Sequence, residues 1–279
     1  MHSSVFSRSA AIVLICTGIA SFPGWIHIPV HAAEIYGVEM VGDRYIVRVF
    51  DTDHAESVRE VAALPAGIGE QLRGLVQLDD RRIALLRTIA NGGESPRNEL
   101  AVLGTPGQLT GVQRRDVYGL EPFMTLTQIF VAWGARYYGL VGLDNDRPPY
   151  QLVTFFSGST AISKLNSVEL PAHARYANLT QCPDGTIYAS TLAPQQDTRL
   201  VTLNPETAQI IELSQLRLNE RTVPSDIFGL TCDPKGRLYA LADPTRLGTA
   251  SLFAVDATNG TLRWLGYFRA HKMALVKNP

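Results

Sequence analysis

The chain has 279 residues, with 25 Lys+Arg against 26 Asp+Glu and a formal net charge of −1. Hydrophobic residues at 46% and charged residues at 18% exclude both a disordered chain and a multi-pass membrane protein. The even charge lacks the basic footprint of a nucleic-acid-binding domain, so no nucleic acid is expected as a partner. Three cysteines are too few for a disulfide-dense scaffold or a four-thiolate zinc site.

In chain order, residues 1–32 read as a signal peptide. Arg8 is the only charge before an apolar run over 10–20, and Val-His-Ala at 30–32 offers small residues for cleavage near Ala32. The run is shorter than the roughly 20 apolar residues that cross a bilayer, so no membrane span is expected in the mature chain. An uncleaved N-terminal anchor is the alternative. Residues 33–279 are therefore expected to be exported, to the periplasm or the outside. The excess of arginine over lysine, 21 to 4, suggests a GC-rich bacterial genome.

The remainder repeats itself. EIYGVE (34–39) and RYIVRVFD (44–51) come first, with residues 58–64 after them. Asp53-His54-Ala55-Glu56 has the form of a capping box and would open a helix through Leu64. The register of the repeat instead makes 58–64 a strand, and the strand is preferred. The second copy runs QLRGLVQL (71–78), RIALLRT (82–88) and NELAVLGTPGQLTGV (98–112). The third, less regular, contains FMTLTQIFVAWGARYYGLVG (123–142) and YQLVTFF (150–156). The fourth is RYANLTQC (175–182), TIYASTL (186–192) and RLVTLNPETAQIIEL (199–213). The fifth is DIFGLTCD (226–233), RLYALAD (237–243) and SLFAVDATNGTLRWLGYF (251–268). Each copy is a set of short β-branched and aromatic runs separated by Gly, Pro, Asp and Asn, the pattern of antiparallel strands with tight turns.

Such sheets carry two apolar faces, and packing them radially buries both, which predicts an all-β β-propeller. The anchors Tyr36, Ala84, Tyr138, Tyr188 and Tyr239 lie 48, 54, 50 and 51 residues apart, giving five blades. The blades fall roughly at 33–65 plus 269–279, 66–116, 117–170, 171–220 and 221–268, in a single domain. The first copy lacks its inner strand, and the C-terminal segment supplies it, at 272–277. That closure removes unpaired edges.

In this arrangement the long connections all emerge at one end of the strands, and long loops on a rigid scaffold are where binding usually sits. Arg97, Asp144, Asp146, Arg147, Asp197 and Arg246 lie on that loop face. Gln71, Glu121, Arg175, Asp226 and His271 are expected to ring the channel mouth and to bind a small polar ligand. The alternative is that they pair with one another around buried water. No cofactor is expected, although a divalent cation in the channel mouth is compatible with these side chains. Glu121 with Asp226 is a candidate acid–base pair, and His271 near Asp226 would suit a triad for which no serine stands out. Asp51 and Asp53, like Asp144 and Asp146, form D-x-D fragments; the first suits a turn better than a metal. Neither HExxH, nor an EF-hand loop, nor a P-loop, nor a G-x-S-x-G elbow occurs.

Cys182 and Cys232 stand one residue apart in register on inner strands of neighbouring copies. A disulfide needs their Cα atoms within about 7 Å. The other possibility is two small buried hydrophobes.

The element P-[DK]-G-x-[IL]-Y-A at 183–189 and 234–240, followed in the fifth copy by LFAVDATNG, resembles the repeats of exported bacterial β-propellers, including lactonase-like and YVTN-type repeats. The resemblance covers nearly all of 33–279 but lies in the repeat alone. It implies the fold and assigns no active site. WD, kelch and Asp-box signatures are absent. The expected function is a non-catalytic binding or scaffold module whose loop face takes a protein partner or a small polar ligand. The alternative is a hydrolase or lactonase-type enzyme with a polar site at the channel mouth.

Overall fold

Short apolar runs between turn residues form strands throughout the described residues, which contain no helix. The computed structural model describes residues 33–54, 57–78, 81–91, 94–109, 111–132, 136–143, 147–157, 161–192, 197–222, 227–243, 248 and 250–275. The first strands are β1 (Glu34–Val41), β2 (Arg44–Asp51) and β3 (Arg59–Pro65). They are followed by β4 (Glu70–Gln77), β5 (Ile83–Asn91), β6 (Glu94–Gly104) and β7 (Gln113–Tyr118). Next come β8 (Met124–Ala132), β9 (Arg136–Leu143), β10 (Arg147–Ser157) and β11 (Ala161–Glu169), then β12 (Arg175–Gln181), β13 (Ile187–Leu192), β14 (Arg199–Leu203) and β15 (Ile210–Gln215). A small hairpin, β16 (Arg217–Leu218) and β17 (Arg221–Thr222), precedes β18 (Ile227–Cys232), β19 (Leu238–Ala242), β20 (Ser251–Val255) and β21 (Leu262–Tyr267). The last strand is β22 (Lys272–Leu275).

Consecutive strands pair antiparallel in meanders. The sheets β12-β13-β14-β15 and β18-β19-β20-β21 stand separately, and β4 to β7 and β8 to β11 are two further meanders. These last two fuse into one eight-stranded sheet because β7 and β11 pair in parallel, Ala161 opposite Asp116 and Ser163 opposite Tyr118. The remaining sheet has the order β22-β1-β2-β3: the C-terminal strand lies against the N-terminal one, with Ile35 opposite Leu275 and Val38 opposite Lys272. The C-terminal segment thus supplies the strand that the first repeat lacks; positions 276 and 277 lie outside the described residues. The segment after Asp53 is a strand from Arg59 onward. Val61, Ala62 and Leu64 pack beside the core there, so the alternating pattern prevails over the capping-box pattern.

Burial follows the sheets. Among the described residues, each apolar cluster joins two neighbouring meanders. Val47 and Tyr36 meet Leu75 and Ile83, Leu86 and Val102 meet Leu126 and Phe155, and Tyr138 and Leu152 meet Tyr176 and Val201. Leu200 meets Leu230 and Phe253, and Tyr239 and Leu252 meet Ile35 and Phe50. The strands β22, β4, β8, β12 and β18 pack side by side, and the sequence of contacts returns from β18 to β22. Gly229 permits that last approach, since a Cβ there would lie 2.7 Å from Met273 Cγ.

Cys182 and Cys232 form a disulfide with Cα atoms 5.1 Å apart. It joins the end of β12 to β18 across a sequence separation of 50 residues, a closure that typically contributes about 2–4 kcal/mol. Cys182 occupies the turn position that Asp233 occupies in the next repeat, since their N–H groups donate to Thr186 O and Arg237 O respectively.

Candidate functional site

The two ends of the strands are built differently. At one end lie the tight turns, several of them closed by a carboxylate or amide accepting its own backbone. Asp184 accepts from Thr186 N, Asn204 from Glu206 N, and Asp256 from Thr258 N. Asp233, 1% exposed, accepts from Lys235 N, Arg237 N, Arg237 Nε and Tyr239 OH. Gly185 and Gly236 take the left-handed φ, +89° and +81°, that these turns require.

At the other end lies a cavity of about 300 Å3. Its walls come from β8 (Thr127 and Gln128), β12 (Arg175 to Asn178), β18 (Ile227 and Phe228) and β22 (Lys272). Ser190, Thr191 and Thr198 complete it from the second-to-third-strand side of the β12 sheet. The inner strands β4, β8, β12 and β18 each carry a register shift against their neighbour. It falls between Leu72 and Gly74, Leu126 and Gln128, Ala177 and Thr180, and Ile227 and Gly229. A bulge turns a side chain out of the regular alternation, and Thr127, Asn178 and Phe228, all within these shifts, line the cavity.

Asn178 is the most constrained of them. It is 5% exposed and has a left-handed φ of +59°. Its Nδ2 donates to Ser190 Oγ at 2.9 Å and to Ile227 O at 2.6 Å. A carbonyl can receive only a donor, so the Ile227 contact fixes the amide orientation. Oδ1 is left without a hydrogen bond among the described residues. Gln128 ties the preceding sheet in the same manner, receiving Leu179 N at 2.7 Å and donating Nε2 to Leu179 O at 2.9 Å. Thr198 Oγ1 is buried and has no partner among the described residues. The charged groups among the described lining residues are Arg175, exposed, and Lys272, half-buried. Both also interact within the protein. Burial raises the Tyr176 phenol pKa, and Glu212 adds to the rise.

Of the residues expected at the channel mouth, Arg175 lines this cavity. Gln71 sits on β4 opposite Thr88 and is exposed. His271 lines a separate space of about 80 Å3 with Glu39, Asp243 and Arg269, its ring edge-on to Phe228. Glu121 lies in the turn before β8, its Oε1 3.5 Å from Lys164 Nζ. Counted from the paired anchors, Thr125 holds the register of Gln71 and Arg175 in that repeat. Asp226 falls outside the described residues, as do Asp144, Asp146 and Arg246 of the loop face. Arg147 is exposed at the start of β10, and Asp197 precedes Thr198. Arg97 is exposed, with its guanidinium 3.0 Å from the fully buried Glu99, which also bonds Arg87. Arg87 in turn reaches Glu70 at 2.7 Å, which accepts from Tyr45 OH. Among the described residues no group of three or more His, Cys, Asp or Glu is placed to hold a metal ion.

Lys272, Asn178, Thr191 and Thr198 carry no motif that singles them out in the sequence. Only Asn178 leaves a trace there: RYANLTQ aligned with DIFGLTC and QLRGLVQ sets it against Gly229 and Gly74. Of the three, Asn178 alone takes a left-handed φ.

No family model and no curated protein matches the chain. Solved structures share its general course. One is a protein of unknown function from Bacteroides caccae, 14% identical, with a TM-score of 0.48, over 89% of this chain and 100% of the other. TolB from Acinetobacter baumannii is 12% identical, with a TM-score of 0.49, over 88% of this chain and 55% of its own. The periplasmic gluconolactonase PpgL of Pseudomonas aeruginosa is 12% identical, with a TM-score of 0.44, over 89% and 100%. Likeness at this level assigns no activity to the chain.

Proposed function

We propose that the chain is an exported five-bladed β-propeller that acts as a non-catalytic binding module for a small polar ligand. Three features support the propeller reading: the four-stranded meanders, the apolar clusters between successive meanders, and the return of the inner-strand contacts from β18 to β22. Residues 1–32 serve as the signal peptide in this reading. The Cys182–Cys232 disulfide supports export, because such bonds persist in oxidising compartments. Intact-mass measurement of protein recovered from the periplasm or medium tests both points. The expected result is a chain starting near residue 33, about two mass units heavier after reduction.

The observation that carries the binding reading is the cavity at the loop end, which contains polar atoms the fold does not use. Asn178 Oδ1 accepts no hydrogen bond among the described residues and is left to water or a ligand, and Thr198 Oγ1 is buried without a partner among them. A thermal-shift panel of sugars, polyols, small carboxylates, amino acids and lactones tests it. At least one class is expected to raise the melting temperature, and Asn178→Gly is expected to reduce that rise. A panel without any shift would remove the small-ligand reading. Turnover of a lactone or ester by the pure protein would replace it with the hydrolase reading.

A further inference from the structure

We propose that three side-chain amides, Asn98, Gln128 and Asn178, form a one-way relay in which each holds the bulge of the next inner strand, so that Asn98 and Gln128 are positioning residues for the cavity wall. The proposal goes beyond the binding reading and does not depend on it, because every test is made on the free protein. Asn98 on β6, 3% exposed, accepts Leu126 N of β8 at 3.1 Å, and Thr88 Oγ1 donates to the same oxygen. Gln128 on β8 accepts Leu179 N of β12 at 2.7 Å and donates to Leu179 O at 2.9 Å. Asn178 on β12 donates to Ile227 O of β18 at 2.6 Å. Each link runs forward from one meander to the next, and each lands on the register shift of its target strand. Leu126 begins the shift in β8, Leu179 lies within that of β12, and Ile227 begins that of β18.

A bulge disrupts the ladder within its own sheet, and a buried N–H or C=O that loses its strand partner needs another. Leu179, 2% exposed, lies where two residues, Asn178 and Leu179, stand opposite Ala189 alone. A primary amide carries donor and acceptor side by side, so Gln128 takes the place of a strand residue on both groups of Leu179. The peptide plane that contains Leu179 N also contains the Asn178 carbonyl, so the bond to Gln128 fixes the ψ of Asn178. That residue holds a φ of +59°, a conformation that persists in a non-glycine residue only where its surroundings impose it. From this backbone its Nδ2 bonds Ile227 O, whose peptide plane leads directly into Phe228. The direction follows from the bonds themselves. The Asn178 side chain reaches Ser190 in its own sheet and Ile227 in the next, and neither bond touches β8. Thr127, Gln128, Asn178 and Phe228, the residues that the relay sets, line the cavity, and Asn98 acts on them from outside it.

Amide exchange followed by NMR in the full mature protein reads the relay at three reporters: Leu126 N–H, Leu179 N–H and the Asn178 side-chain amide. In the wild type, the Gln128 and Asn178 side-chain amides are expected to exchange at least roughly tenfold more slowly than that of exposed Asn166. Asn98→Ala speeds all three reporters, and Gln128→Met, which keeps the length of the side chain without its hydrogen bonds, speeds the last two, each by roughly tenfold or more. Asn178→Gly supplies a residue that accepts a left-handed φ and leaves Leu126 and Leu179 at their wild-type rates. The backbone amides of β1 and β2, which the relay does not touch, keep their rates in all three variants.

An Asn178 amide as slow in Gln128→Met as in the wild type would overturn the relay by showing that the links are independent. Acceleration of Leu179 in Asn178→Gly as large as in Gln128→Met, or equal acceleration of β1 and β2, would overturn it by showing that the links share only in overall stability. Side-chain amides as fast as that of Asn166 in the wild type would overturn it with no variant made. If Asn98→Ala does not fold, the other two variants decide.

Discussion

The tight-turn end and the loop end of the strands use the same kinds of residue for opposite purposes. At the turn end, Asp184, Asn204, Asp233 and Asp256 direct their oxygens at backbone N–H groups two to four residues ahead, and Asp233 also takes Arg237 and Tyr239. At the cavity end, Asn178 gives its nitrogen to a neighbouring sheet and keeps its oxygen, and Thr198 Oγ1 is buried without a partner among the described residues. Polar residues at the turn end complete the fold. At the cavity end Thr127, Gln128 and Ser190 are likewise bonded within the fold, whereas Asn178 Oδ1 and Thr198 Oγ1 receive no bond from the described residues.

The largest expected effect lies at the turn end. Asp233→Ala removes four accepted bonds and leaves the Tyr239 hydroxyl buried without its acceptor, so a loss of about 3–5 kcal/mol is expected in urea unfolding. Binding at the cavity should survive wherever the variant is folded. A loss below about 1 kcal/mol would show that the turn end is not built on its carboxylate.

An intermediate effect follows from buried phenols at both ends. Burial pushes Tyr36, Tyr45 and Tyr239 up to about 12 from 10.0, with Glu34, Glu70 and Asp233 adding to the respective rises. Between those values the folded chain holds protons that the unfolded chain has released. The stability they contribute is therefore fully present below pH 10 and is lost as pH rises toward 12. The urea midpoint is expected to fall over that window. Tyr239→Phe should make the fall shallower, and a drop of unchanged steepness would exclude Tyr239 from it.

The smallest effect, and the sharpest contrast, belongs to Thr198→Val. Replacing an unpartnered buried hydroxyl by a methyl group of similar shape is expected to be neutral or to stabilise by up to about 1 kcal/mol. A destabilisation of more than about 1 kcal/mol would mean that the hydroxyl serves the fold, and the contrast between the ends would fail.

The repeat is legible in the sequence because its chemistry is local. Turn residues such as Pro183-Asp184-Gly185 mark strand ends, and alternation marks strands, so the missing first strand and its C-terminal replacement can be read without any pairing. The site is much less legible. Register places Arg175, but the irregular third repeat misleads at Glu121, where Thr125 holds the equivalent position. Lys272 carries no motif; it borders the cavity only because β22 crosses to the N-terminal sheet. Thr198 lies outside every regular element, and its isolation is visible only once its neighbours are packed around it.

By itself, then, the sequence determined the strands, their turns, the period of about fifty residues and the even charge, all set by interactions within a few residues or one hairpin. Tertiary structure decided the rest. It brought Cys182 within bonding distance of Cys232, turned Thr127, Asn178 and Phe228 into one cavity through bulges, and set a lysine near the C-terminus beside an arginine nearly a hundred residues earlier. The physical reason is that a repeat fixes how each sheet is made, whereas charge and unsatisfied polar atoms acquire meaning only from what another sheet places opposite them.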